Sequence, residues 1–88
     1  MARTTVFGIL LNQRNDMAPR FQEIVTKYGC NIKTRIGLHN VSENVCSASG
    51  IILLETIGKE SEITSLENNL RTLEGAEIQK MVFSAPEL

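Results

Sequence analysis

The residues best suited to binding chemistry in this chain sit at the ends of apolar runs. His39 is the single histidine and stands seven residues before Cys46; imidazole and thiolate together suit zinc, nickel or copper. Two ligands per chain fall short of a closed four-coordinate shell. A metal here needs a second chain, or Glu43 and backbone atoms, to complete it. The stretch also lacks the Cys-x-x-Cys or His-x-His pair that makes a metal motif specific, and a loop histidine beside a small packed cysteine reads the same residues without any ion. Arg35 brings a guanidinium that can grip a ligand carboxylate, or a partner's acid, with two hydrogen bonds; solvation of an edge strand accounts for it equally well. Asn12, Asn15 and Asp16 fall between a strand-like run and a helical one. There the first backbone N–H groups of a helix can receive an anion, and the polar side chains an amine or polar head group, while plain helix capping explains Asn15 and Asp16 just as simply. Cys30 reads as a packed thiol. An acid-base enzyme would have to draw on Arg35, His39 and Glu43. No catalytic constellation beyond these emerges, so the expectation is a binding domain and not an enzyme.

These groups must be held by regular elements. Thr4 to Leu11, TTVFGILL, is rich in β-branched and aromatic residues and reads as a first strand. From Asp16 to Tyr28, Met17, Ala18, Phe21, Ile24, Val25 and Tyr28 recur every three or four residues, Pro19 fits a first turn, and Gly29 supplies a stop. That is a first helix. Asn31 to Leu38 alternates, with Ile32, Thr34, Ile36 and Leu38 assigned to one face and Lys33 and Arg35 to the other, an edge-strand pattern that leaves Arg35 on the open side of the sheet. His39 to Ser47 has no period and reads as a hairpin loop. Ala48 to Ile57 is apolar on both faces at Ile51 to Leu54, so this strand is expected to be central. Ile63, Leu66, Leu70 and Leu73 make the stripe of a second helix, with Glu60 and Glu62 in its first turn and Gly75 at its end. Ala76 to Phe83 closes as a fourth strand in which Lys80 interrupts an apolar face and marks a bulge or an edge.

The order βαββαβ with right-handed crossovers predicts an α+β, ferredoxin-like sandwich. It has a four-stranded antiparallel sheet, order 4-1-3-2, with both helices on one face. Residues 1–84 form one domain and 85–88 a short tail. Both central strands are apolar on both sides, whereas the helices cover one. The uncovered side predicts a homodimer or homotetramer.

Composition bounds the function. With 88 residues, a deep cleft or an enclosed cofactor has no chain from which to be built. Nine basic residues against ten acidic ones, and a pI near 5.8, lack the positive field of a stand-alone nucleic-acid binder. No apolar run reaches the length of a membrane span, and Arg3 with the mixed run after it lacks the apolar core of a signal peptide. A cytoplasmic protein with reduced cysteines is the expectation.

Thr34-Arg35-Ile36-Gly37-Leu38-His39, the loop to Cys46, the strand from Gly50 to Ile57, and Leu70-x-x-Leu73-Glu74-Gly75-Ala76-Glu77-Ile78 resemble the small proteins known as iron-only hydrogenase system regulators. The resemblance spans nearly the whole chain. That family is similar in fold to ACT domains and to the metal-sensing domain of the nickel-responsive repressor, which implies an oligomeric regulatory domain acting on a small ligand or on a transcription or maturation partner protein. His39 and Cys46 resemble two positions of the repressor's nickel site, implying a transition metal as cofactor. Val41 stands where that family has a second histidine. The ACT likeness places effectors near the turn Asn12 to Asp16, at subunit interfaces.

Overall fold

A computed structural model describes residues 2–11, 17–41 and 46–85. The elements are β1 (Ala2–Leu11), α1 (Met17–Lys27), β2 (Ile32–Val41), β3 (Cys46–Thr56), α2 (Glu60–Leu70) and β4 (Glu77–Ala85), with a 3-10 turn, Gly29–Asn31, ahead of β2. They build one four-stranded sheet of order β2-β3-β1-β4 in which every neighbouring pair is antiparallel. This is the ferredoxin-like arrangement that the βαββαβ order predicts.

Side-chain alternation decides which face is covered. Phe7, Ile9 and Leu11 of β1 and Leu54 of β3 point to the helices and are buried with Phe21, Ile24 and Val25 of α1 and Ile63, Leu66 and Leu70 of α2. The spacing of the helical residues is the one that puts a single stripe against a sheet. Thr5 and Thr56 extend this layer as buried polar residues, and the Thr56 hydroxyl donates to the Thr5 carbonyl at 2.7 Å. Among the described residues no helix is long and apolar enough to cross a membrane.

Several boundaries differ from the sequence reading: β1 begins at Ala2 and not Thr4, and β4 runs to Ala85, past Phe83 and into the expected tail. α2 stops at Leu70 and not at Leu73, because Thr72 and Leu73 donate to the carbonyls three residues back, tightening the last turn before Gly75 at φ +86°. Leu73 remains buried although it lies beyond the helix. β2 and β3 extend to Val41 and from Cys46, so His39 and Cys46 lie in paired strands and not in a loop. Lys80 marks an edge and no bulge: the β1–β4 register is regular from Ala2 opposite Ala85 to Leu10 opposite Glu77. Its ammonium reaches across to α2, 3.0 Å from Glu67 Oε1, while Arg71 holds the other oxygen at 2.9 Å. The hydrogen bond from Lys80, aided by Arg71, keeps the Glu67 carboxyl below the ordinary carboxylate value, against the opposing effect of its burial.

A second junction ties the sheet to α2. Asn31 Nδ2 donates to the Ile57 carbonyl and to Glu62 Oε1, both at 3.2 Å, and the Asn31 carbonyl accepts from Ile57 N–H at 2.9 Å. Glu62 also accepts from the Lys59 N–H at 3.1 Å, satisfying a donor at the start of the helix. Gly58 fits against this network at φ +119°, where a Cβ would come within 2.6 Å of Asn31 Nδ2.

Two outcomes follow for stability. Gly58→Ala is expected to cost about 1–3 kcal/mol in denaturant unfolding, while Gly8→Ala, whose Cβ would meet Leu53 at an ordinary 3.6 Å, stays within about 1 kcal/mol of the parent. Glu67→Gln is expected to lower stability by about 1 kcal/mol at pH 7. Because the folded carboxyl is depressed, its contribution is complete above the unfolded value near 4.3 and fades as pH falls through the folded one. The gap between parent and variant should therefore close on acidification, and a gap that persists in acid would contradict this account.

Candidate functional site

Asn12, Asn15 and Asp16 lie outside the described residues, as does Glu43. β1 and α1 bracket the first three at Leu11 and Met17. His39 pairs with Gly50 and Cys46 with Val41, so β2 and β3 carry the two residues on neighbouring strands, with an irregularity in the register between His39 and Val41. Among the described residues no group of three metal-ligating side chains comes together.

Arg35 is not on the open side of the sheet. It lies opposite the fully buried Leu54 and reaches α1, its guanidinium 5.3 Å from the centroid of the Phe21 ring and its Nη1 donating to Gln22 Oε1 at 3.1 Å. The cause is a register shift between Ile32 and Thr34. Ile32, which strict alternation would place with Ile36, packs instead against the core beneath the helices. Cys30 is also a correction: it is an exposed free thiol in the 3-10 turn, not a packed one.

The described residues form an apolar concavity and a polar one. On the open side of the sheet, Val6, Gly8 and Leu10 of β1, Ile51 and Leu53 of β3 and Met81 of β4 line an almost wholly apolar groove of about 290 Å³. Gly8 lacks the side chain that would fill its middle. Ile36, Ile51, Met81 and Phe83 around it are each between 44% and 50% exposed, large apolar side chains that the helices do not reach.

The second is a polar cleft of about 330 Å³ where β1 and β2 begin and β3 ends. Arg3 and Lys33 enter it from different strands. Arg3 Nη1 contacts Glu60 Oε1 at 3.1 Å, and Lys33 Nζ stands 3.9 Å from Glu55 Oε2, with all four side chains more than a third exposed. Thr34 Oγ1 donates to Glu55 Oε1 at 3.0 Å, so both Lys33 and Thr34 reach one carboxylate. In an unbroken strand these two neighbours would point to opposite faces. Reading the sequence alone missed this cleft, because a one-residue register shift leaves no mark in the alternation of Asn31 to Leu38.

No family model matches the chain, and no curated protein matches it. Solved structures do. An uncharacterized protein from Thermotoga maritima is similar at 18% identity and TM-score 0.79, over 94% of this chain and all of that one. The ACT domain of the GTP pyrophosphokinase of Chlorobium tepidum is similar at 16% identity and TM-score 0.62, over 89% and 96%. A candidate glycine cleavage system transcriptional repressor follows at 19% and 0.65, over 98% of this chain and 48% of that one. At these identities the likeness is one of fold, and the fold is that of ACT domains.

Proposed function

We propose that this chain is a small non-enzymatic regulatory domain that works as a homo-oligomer, burying the open face of its sheet against a second copy, and that it responds to a small ligand or a partner protein. The observation that carries the reading is the exposed apolar side chains of Ile36, Ile51, Met81 and Phe83 around the groove at Gly8, with Glu77 and Gln79 of β4 at its margin. Four strands at about 4.8 Å spacing and seven residues at about 3.3 Å give roughly 400 Å² in projection. Side-chain relief raises the accessible area above that, toward the ~500 Å² per partner that a specific interface needs. A surface of this kind is self-complementary about a two-fold axis.

The ACT domain and the transcriptional repressor among the structural neighbours support regulation over catalysis. The resemblance of 34–39 and 70–78 to iron-only hydrogenase system regulators supports placing that regulation in such a system. Asn12, Asn15 and Asp16 stand as candidate ligand contacts on the connection after β1.

Sedimentation of the purified chain at micromolar concentration is expected to give a dimer or tetramer, and Ile51→Lys with Met81→Lys to give a folded monomer. A parent that sediments as a monomer would overturn the reading. A second reading is a metal sensor at a subunit interface using His39 and Cys46, which lie on the neighbouring strands β2 and β3 opposite Gly50 and Val41 and not opposite each other. Under it, nickel or zinc raises the melting temperature of the parent and not of the His39→Ala/Cys46→Ala variant; equal shifts in both would exclude these ligands.

A further inference from the structure

The polar cleft at the start of β1 and β2 has no place in the reading above. It stands at the opposite end of β1 from the connection that holds Asn12, Asn15 and Asp16. We infer that it is an effector site for a small oxyanion-bearing molecule, whose phosphate or carboxylate sits between Arg3 and Lys33. The inference rests on the regulatory reading only in that such a domain needs an effector.

Three observations converge on it. The cleft, at about 330 Å³, lies at the small end of the range for metabolite pockets. Its two cations come from separate strands, and each is held only loosely. Lys33 stands at 3.9 Å from a carboxylate already engaged by Thr34, and Arg3 meets Glu60 through one nitrogen of a guanidinium that has five N–H donors. Exposed ion pairs of this kind contribute little, so an incoming oxyanion that takes two hydrogen bonds from Arg3 can displace Glu60. The register shift at Lys33 is the third. A bulge on an edge strand re-aims a side chain at the expense of ladder regularity, and here it brings Lys33 to the open face beside Glu55, so that Lys33 and Arg3, which meets Glu60 on the helix side, flank the cleft from the two faces of the sheet. Thr4 adds a hydroxyl to the lining, and the exposed side chain of Ile57 gives the rim an apolar patch for the body of the ligand.

The test is a titration of the full chain with sodium pyrophosphate and, separately, sodium malonate, followed by backbone amide shifts against sodium chloride at matched ionic strength. Saturable shifts at Thr4, Lys33, Ile57 and Gly58 are expected with at least one of the two. Pyrophosphate alone identifies a phosphate-bearing ligand, malonate alone a dicarboxylate. Arg3→Gln and Lys33→Gln should each weaken binding about tenfold, whereas Lys27→Gln, which removes the same charge from α1, should leave it unchanged. Glu60→Gln removes the competitor for Arg3 and should tighten binding about two- to fivefold. A cleft whose charges are merely structural would not show that gain. Shifts that fail to saturate, that chloride reproduces, or that survive in Arg3→Gln and Lys33→Gln overturn the inference. The sedimentation result is independent of it, so the failure of one reading is distinguishable from the failure of the other.

Discussion

Two helices of eleven residues each lie on one side of a four-stranded sheet, and the central strands β1 and β3 carry apolar residues toward both. The rest of the structure depends on this imbalance. On the covered side, Phe7, Ile9 and Leu54 are fully buried beneath α1 and α2, which accounts for a core dense enough to hold so short a chain. On the other side Ile51 and Met81 are left half in water, a cost that a second layer would remove. The helices could not have covered both faces, since each crossover returns to the same side of the sheet when it is right-handed.

The two ends of α2 show how such a thin layer is kept in place. At its start, Asn31 and Glu62 join the 3-10 turn, the end of β3 and the first helical turn in one polar network, which needs the glycine at position 58. Toward its end, Glu67 sits between Arg71 of the following turn and Lys80 of β4. Neither contact is deep in the core. Both fix the helix against the strands at positions where apolar packing alone would let it slide.

Most of this was legible in the sequence, and the exceptions have identifiable causes. The stripes of Phe21, Ile24 and Val25 and of Ile63, Leu66 and Leu70 gave away both helices, and the doubly apolar Ile51 to Leu54 gave away a central strand, because burial imposes those periods. The end of α2 was misplaced because Leu73 continues the helical spacing, yet is buried from a tighter turn. Arg35 was assigned to the wrong face because alternation assumes an unbroken ladder, and the shift at Lys33 breaks it; Gln22 and Phe21, its partners, are distant in sequence and carry no local signal. The same shift concealed the cleft shared by Arg3, Lys33 and Glu55. The cysteine at position 30 follows the general burial preference of its type only weakly, since a 3-10 turn at the surface holds it exposed.

β4 forms one border of the sheet, and along it Met81, Val82 and Phe83 are three consecutive exposed β-forming residues. A short, uncharged, apolar run on an edge strand is the composition from which stacked fibrillar assemblies grow. Lys80 immediately precedes the run and is anchored to α2 through Glu67. A charge fixed at that position interrupts the stacking of like strands, since each added copy would bring its ammonium against the last. The ion pair that secures the helix thereby also acts as a gatekeeper at the border of the sheet.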